Sequence, residues 1–230
     1  MKLLLVGYGR MGRLVEELAQ TEGLDVVGCI DIHNAESDWP QADVAINFSV
    51  ADAVPGMVKR LVSQGTNIVI GTTGWRAQES ELRRLVKESN LGVVAAENFS
   101  IGINIFQLLA AEAGRLMAEH DQYGAFLHER HHSEKRDAPS GTALTLRDVL
   151  VQAGYQHSID MSSVRAGQIP GTHTIGFDGS SDTIELTHTA RDRRGFASGA
   201  LLAAHWINGR HGWYSMIDVL QGERARVRQS

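Results

Sequence analysis

Gly7-Tyr8-Gly9-Arg10-Met11-Gly12 stands between an apolar run, Leu3 to Val6, and a segment whose apolar residues Met11, Leu14, Val15 and Leu18 recur at helical spacing. A G-x-G-x-x-G run placed between a strand and a helix restricts a chain to few architectures. Two glycines permit the tight turn and the close approach of a pyrophosphate. The third lets the helix lie against the strand, and the helix N-terminus then offers free N–H groups to the phosphates. Asp31 closes a second apolar run 19 residues after Gly12, where an acid accepts hydrogen bonds from the hydroxyls of a nucleotide ribose. Turn glycines without a ligand are the plainer reading, and the strand–helix context with Asp31 favours the nucleotide.

The pattern repeats downstream. Asp43 to Phe48, Asn67 to Gly71 and Leu91 to Ala95 read as further strands, with helical segments at 52–64 and 76–89 flanking the fourth. Strands apolar on both faces, alternating with helices, predict a parallel sheet covered on both sides. This is an α/β, Rossmann-type doubly wound sheet over about the first 100 residues. The rhythm then changes to a long helix at 102–119, with Ile105, Leu108, Leu109, Leu116 and Met117 on or near one face. Strands follow at 122–131, 159–166, 173–178 and 183–190, with one helix between them at 142–153, a last helix at 196–208 and an apolar tail from Trp213 to Leu220. More strand and fewer helices predict a second, α+β domain on a mixed sheet.

Composition removes some classes of partner. Among 230 residues the net charge is −5, so neither nucleic acid nor an anionic membrane surface is expected as a partner. No apolar segment approaches the roughly 18–20 residues of a membrane span. The apolar start is too short for a signal peptide, and a cytoplasmic protein is expected. Cys29 is the single cysteine and lies in an apolar run, which suits an inert strand thiol.

Glu129-Arg130-His131-His132-Ser133-Glu134-Lys135-Arg136-Asp137-Ala138-Pro139-Ser140-Gly141-Thr142-Ala143 gathers two imidazoles and a lysine ahead of a helix start. Neighbouring residues of a strand point to opposite faces, so His131 and His132 serve one ligand only if the strand ends there. The free N–H groups at the start of the following helix and the Thr142 hydroxyl suit a carboxylate, and Lys135 adds a full charge. A histidine can act as a general acid near neutral pH. The plainer alternative is that the histidines at the strand end and the Lys135-Arg136 pair are simply solvated side chains. A zinc site is not expected, because no cysteine lies nearby and Lys135 repels a cation. Two loops at the carboxyl ends of strands, Gly71-Thr72-Thr73-Gly74 and Ala96-Glu97-Asn98-Phe99, offer donors and an apolar wall, or are ordinary strand-to-helix turns.

Glu129-x-His131-His132-x-x-Lys135-x-Asp137-Ala138-Pro139-Ser140-Gly141-Thr142-Ala143 resembles the signature of the dihydrodipicolinate reductase family. Gly9-Arg10-Met11-Gly12, Gly71-Thr72-Thr73-Gly74, Asn98-Phe99-Ser100-Ile101-Gly102, Arg165-Ala166-Gly167, Gly171-x-His173 and Phe196-Ala197-x-Gly199-Ala200 match its other motifs in order. The resemblance covers nearly the whole chain. It implies NAD(P)H-dependent reduction of a cyclic imine dicarboxylate in lysine and diaminopimelate biosynthesis. By that resemblance His131 protonates the carbon beside the one receiving hydride, and Lys135 is the second catalytic residue. His132, Gly141 and Thr142 bind the small dicarboxylate substrate. Gly7, Gly9, Arg10, Met11, Gly12, Asp31, Gly71, Thr72, Thr73, Ala96, Glu97, Asn98 and Phe99 surround the cofactor, NADH or NADPH. No metal is implied.

The family also implies a homotetramer. It sets a nucleotide domain over 1–99 with 207–230 and a substrate and oligomerisation domain over 100–206. The short stretch from Asp31 to Asp43 fits the family's compact form. Ile32 stands where a basic residue often follows the acid, which argues against strong NADPH preference. Glu97 replaces a common proline. An amino-acid dehydrogenase of the same plan would have no reason to keep His131-His132 and Ser140-Gly141-Thr142 together, and a catalytically silent nucleotide sensor would be marked by loss of His131 or Lys135, both of which are present.

Overall fold

The computed structural model describes residues 1–227 and divides into two compact units, Met1–Ile101 with Arg193–Ser230 and Gly102–Asp192. Residues 228–230, part of the expected first-domain range, lie outside the described residues.

The first unit begins with β1 (Lys2–Val6), whose side chains alternate between two apolar layers. Leu3 and Leu5 enter one cluster, while Leu4 and Val6 enter the other. β2 (Asp25–Ile30), β3 (Val44–Asn47), β4 (Asn67–Ile70), β5 (Gly92–Ala95) and β10 (Gly212–Tyr214) complete a six-stranded sheet of order β10-β5-β4-β3-β1-β2. Every pairing in it is parallel. α1 (Arg10–Thr21), α6 (Arg194–Ile207) and α7 (Met216–Val227) supply Val15, Ala200 and Val219 to the first cluster. α2 (Val54–Ser63) and α3 (Glu79–Ser89) supply Val58 and Leu82 to the second. Helices on both faces hide both apolar sides of the parallel strands, as the sequence predicts.

α6 corrects the expected domain boundary, which placed 100–206 in the second unit. The chain returns at Arg193, because Ala197, Ala200, Leu201, Ala203, Ala204 and Ile207 bury against the first sheet. The approach is close, since a Cβ on Gly199 would overlap the Phe99 carbonyl. The expected tail from Trp213 to Leu220 resolves into an edge strand, β10, and the start of α7.

The second unit is a four-stranded mixed sheet of order β7-β6-β8-β9, built from β6 (Gly124–His131), β7 (Ile159–Arg165), β8 (Thr172–Asp178) and β9 (Thr183–Thr189). β6 pairs parallel with β7 and antiparallel with β8. α4 (Ile101–Met117) and α5 (Gly141–Gln152) cover one face, and Phe106, Leu127, Leu146, Tyr155 and Phe177 form its core. The face expected of α4 is corrected too. Ile103, Phe106, Ala110 and Gly114 are buried, whereas Ile105, Leu109 and Leu116 are exposed. The helix is apolar on more than one side, so spacing alone does not select the stripe.

Among the described residues no helix is long and apolar enough to cross a membrane. Cys29 is half-buried near Glu16, and desolvation followed by that carboxylate raises its thiol to about 11, which leaves it protonated and unreactive at neutral pH.

Candidate active site

The first unit assembles the predicted nucleotide residues at the carboxyl ends of its strands. Gly7 takes φ +91, and a Cβ there would overlap the Phe48 backbone. A Cβ on Gly12 would stand 2.5 Å from the Gly7 carbonyl oxygen, while one on Gly9 would meet open space. Two glycines are thus required by packing, and the third keeps the mouth of α1 clear. Gly9 is the N-cap of α1 and brings no side chain of its own to cap the first N–H groups, those of Arg10, Met11 and Gly12. A cavity of about 730 Å³ opens beside this loop, lined by Tyr8, Asp31, Ile32, Phe48 and Val50 among others. Ile32 is 88 % and Val50 68 % exposed, an apolar pair suited to a flat base. The residues present fit a dinucleotide.

Asp31 is fixed by its own turn. Its Oδ1 accepts the His33 N–H at 2.8 Å and its N–H donates to Asn34 Oδ1 at 2.7 Å. Arg60 also lines the cavity, but its guanidinium lies 4.4 Å above the Trp39 ring and donates to the carbonyls of Ala35 and Ser37.

The two further loops divide into exposed and committed residues. Thr73 is exposed, whereas Thr72 is buried and donates its hydroxyl to Asn47 Oδ1 at 2.5 Å. Gly71 accommodates the Phe48 ring, which a Cβ would overlap. Ala96 is half-buried and donates its N–H to the Ile70 carbonyl. Glu97 is ion-paired with Arg76 at 2.9 Å, and Asn98 Oδ1 accepts the Ser100 N–H at 2.9 Å. Phe99 departs from its expected place as an apolar wall. Only 1 % exposed, it lies in the core because α6 packs on its backbone. Phe48, edge-on to Phe99 at 6.2 Å, lines the cavity instead. Its position directly after β3 is the sequence signal that marks it.

The second unit gathers His131, His132, Lys135, Gly141 and Thr142 around the end of β6. The strand stops at His131, and the chain turns through a Lys135 N–H to His132 carbonyl bond of 3.2 Å. Behind His131 is a group absent from the expected site: Glu129, with no solvent exposure. Its Oε1 accepts from Arg165 Nη2 at 2.7 Å, Ser163 Oγ at 2.7 Å and the Ser140 N–H at 3.0 Å. Burial pushes its carboxyl up, but the hydrogen bonds from Ser140, Arg165 and Ser163 outweigh it and hold the pKa at about 2. Oε2 stands 2.9 Å from His131 Nδ1, a close electrostatic contact although neither atom meets hydrogen-bond alignment. Nε2 of His131 faces Gly171 (φ +134), where a Cβ would crowd it at 3.2 Å.

Burial lowers the His131 pKa from its ordinary value; Glu129 opposes this, and Lys135 and Arg165 add to it. His173 lies edge-on to His131 at 5.0 Å, and burial, then the neighbouring His131, lowers it to about 4. Neutral His173 Nε2 is 3.1 Å from Ser140 Oγ, which also accepts the Ala143 N–H as the N-cap of α5. Arg165 also donates to the Asp137 carbonyl, which ties the loop 132–140 to β7. Lys135 Nζ pairs with Asp137 Oδ1 at 2.8 Å. That Lys135 bond, and N–H donation from Gly141 among smaller effects, lower the Asp137 pKa.

Ligand atoms of Glu129, His131 and His173 lie within 4.8 Å of one another, a spacing that a divalent ion could use. The chemistry of the set is against it. Glu129 Oε1 already takes three donors, His173 Nε2 is engaged by Ser140, and Arg165 and Lys135 bring positive charge.

A glycine-loop sheet that fits a dinucleotide, joined to a second sheet bearing a buried imidazole–carboxylate pair and a lysine, defines a two-domain pyridine-nucleotide oxidoreductase. Two family models match, dihydrodipicolinate reductase N-terminus over residues 1–99 and dihydrodipicolinate reductase C-terminus over residues 102–220. The chain is 35% identical to the 4-hydroxy-tetrahydrodipicolinate reductase of Christiangramia forsetii, over 96% of this chain and 98% of that one. It is 36% identical to that of Methanoregula boonei, over 94% and 96%. A dipicolinate-bound dihydrodipicolinate reductase from Paenisporosarcina sp. has the same fold, with TM-score 0.82 at 21% identity over 94% of this chain and 97% of that one. The chain belongs to the dihydrodipicolinate reductase family.

Proposed function

We propose that this chain reduces a dihydrodipicolinate-type cyclic imine dicarboxylate to tetrahydrodipicolinate in lysine and diaminopimelate biosynthesis, with His131 as proton donor. The observation that carries this reading is His131 itself, with the Glu129 carboxylate 2.9 Å from Nδ1 and with Nε2 facing Gly171, which has no side chain to crowd it. The cofactor, when bound, supplies hydride. Gly7, Gly9, Arg10, Met11 and Gly12 would hold its pyrophosphate, Asp31 its ribose, and Gly71, Thr73, Ala96 and Asn98 its nicotinamide end. Thr72 and Glu97 contribute through backbone and loop shape, given the partners their side chains already have.

On the second unit, Lys135, His132, Gly141 and Thr142 bind the two carboxylates. Protonated His131 then gives its Nε2 proton to the carbon beside the one that receives hydride. Burial, Lys135 and Arg165 disfavour the imidazolium, while Glu129 and Asp137 favour it, so the rate of this step should fall as pH rises.

NADH is the preferred cofactor in this reading. Asp31 repels a 2′-phosphate, Ile32 brings no cation, and the Arg60 guanidinium is committed to two carbonyls and to Trp39. The test is a coupled assay with freshly generated substrate precursor, following oxidation of NADH and NADPH separately. Oxidation of both is expected, with kcat/KM at least about tenfold higher for NADH, a gap of about 1.4 kcal/mol. Oxidation of neither by folded protein would remove the function. The variant Ile32→Arg should narrow the ratio by about tenfold through a charge-assisted contact with the 2′-phosphate. An unchanged ratio would show that this side chain does not reach the ribose.

A further inference from the structure

We propose that Glu129 is the positioning residue for His131: its carboxylate engages Nδ1 and thereby commits Nε2, the nitrogen facing Gly171, to the substrate. The inference rests on His131 being the proton donor.

Glu129 and His131 are two residues apart on β6 and therefore on one face of the sheet. The donors on Oε1 come from three places: Arg165 and Ser163 on β7, and the backbone at the start of α5. They leave Oε2 to the two imidazoles, 2.9 Å from His131 Nδ1 and 3.7 Å from His173 Nε2, so His131 is its nearer neighbour. A carboxylate clamped at one oxygen cannot rotate, so its second oxygen presents a fixed acceptor. A negative oxygen 2.9 Å from Nδ1 favours a proton on that nitrogen in both charge states of the ring, through close electrostatic attraction. Loss of one proton from the imidazolium therefore occurs at Nε2 and leaves the neutral Nδ1–H form in place. Without an acceptor at Nδ1, either nitrogen could lose the proton and the ring could turn.

Charged and titratable groups face His131 from every side. Glu129 shares β6, Arg165 comes from β7 and His173 from β8, Lys135 and Asp137 come from the loop after β6, and His188 on β9 acts on His173. Of these only Glu129 and Asp137 favour the imidazolium. Glu129 is also the one whose second oxygen stands at Nδ1.

Glu129→Gln separates positioning from scaffolding. The amide oxygen can still serve Arg165, Ser163 and Ser140, which turns the NH2 group toward His131 Nδ1. A donor there requires Nδ1 to accept, and the neutral ring must change tautomer to Nε2–H. Nitrogen-15 spectra of histidine-labelled protein, with His131 assigned by the signal lost in His131→Gln, read this directly. In the parent protein neutral His131 should show a protonated Nδ1 and an unprotonated Nε2, and in Glu129→Gln the reverse. Loss of the carboxylate also disfavours the imidazolium. The alkaline limb of kcat should therefore move down by about one pH unit or more. At pH 8 kcat should fall at least about tenfold, with KM for the dicarboxylate changed less than about threefold.

A Glu129→Gln protein with lower stability but unchanged tautomer and unchanged pH limb would make Glu129 a scaffold residue only and overturn the proposal. If the variant does not fold, the parent spectrum decides: a neutral His131 with unprotonated Nδ1 refutes it. Failure of the proton-donor reading itself would appear separately, as full turnover in His131→Gln with the parent tautomer still Nδ1–H.

Discussion

His131→Gln is expected to lower kcat by about 10²–10⁴, the range that general acid catalysis supplies, while KM changes by less than about threefold. The split follows from the timing of the proton. A proton delivered to carbon matters in the transition state, whereas in the proposed binding mode Lys135, His132 and the start of α5 hold the bound ground state. Glutamine keeps approximate size and polarity at a site only 8 % exposed, so the Glu129 pocket stays filled. Stopped-flow or steady-state oxidation of NADH at saturating substrate gives kcat, and a substrate titration gives KM.

The pH dependence supplies a second readout. The acid must be protonated to act, so the parent rate should fall as pH rises through the His131 pKa. Burial and the Lys135 and Arg165 charges pull that pKa down from its ordinary value, and Glu129 pulls against them. In His131→Gln the alkaline limb should vanish, leaving a low and flat residual rate. Parent-like turnover, or a variant that keeps the limb, would take His131 out of the chemistry.

Much of the first unit is legible in the sequence because parallel strands buried on both faces leave continuous apolar runs. Leu3-Leu4-Leu5-Val6 needs no face assignment, since Leu3 and Leu5 serve one layer and Leu4 and Val6 the other. Helices are harder. Periodicity in α4 and α6 shows that they are helices, but it names no partner sheet. α6 therefore returns to the first unit earlier than the expected crossing near 207, and α4 buries Phe106 and Ala110 and leaves Leu109 and Leu116 exposed. β10 is only three residues long and lies at an edge, too short for a two-residue period to stand out.

The candidate site shows the same division. His131 and Lys135 stand out by chemistry. Glu129 is concealed because an acid in a strand reads as solvated. Its register carried the information, since Ala125, Leu127, Glu129 and His131 alternate inward while Arg130 points out. A carboxylate at an inward position needs partners. Arg165 and Ser163, which supply them, are distant in sequence and adjacent only through the β6–β7 pairing. Phe48 and Phe99 divide the same way. Both follow strands of the first sheet, and only the packing of Gly199 on the Phe99 backbone decides which ring is drawn into the core.

Lys135→Ala is expected to damage both kinetic parameters, with kcat and KM each worse by about tenfold or more and kcat/KM down by about 10² or more, equivalent to at least about 2.7 kcal/mol of transition-state stabilisation. Two effects combine. In the proposed binding mode the ammonium no longer meets a substrate carboxylate, and Asp137, 2.8 Å from Nζ in the parent, becomes an uncompensated negative charge beside the same anion. Adding Asp137→Asn to Lys135→Ala should therefore recover part of the KM loss, because it removes the repulsion. It should leave most of the kcat loss, because no cation returns. Lys135→Arg restores charge without the compact ammonium, so it should improve KM more than kcat. The pH limb offers a check with the opposite sign from Glu129→Gln. Lys135 disfavours the His131 imidazolium, so its removal should move the alkaline limb upward. A double-mutant cycle on Lys135 and Asp137 that shows no coupling would mean the pair does not act on the substrate as a unit. A Lys135→Ala protein that loses only KM would confine the lysine to binding and leave His131 as the sole group assigned to the chemical step.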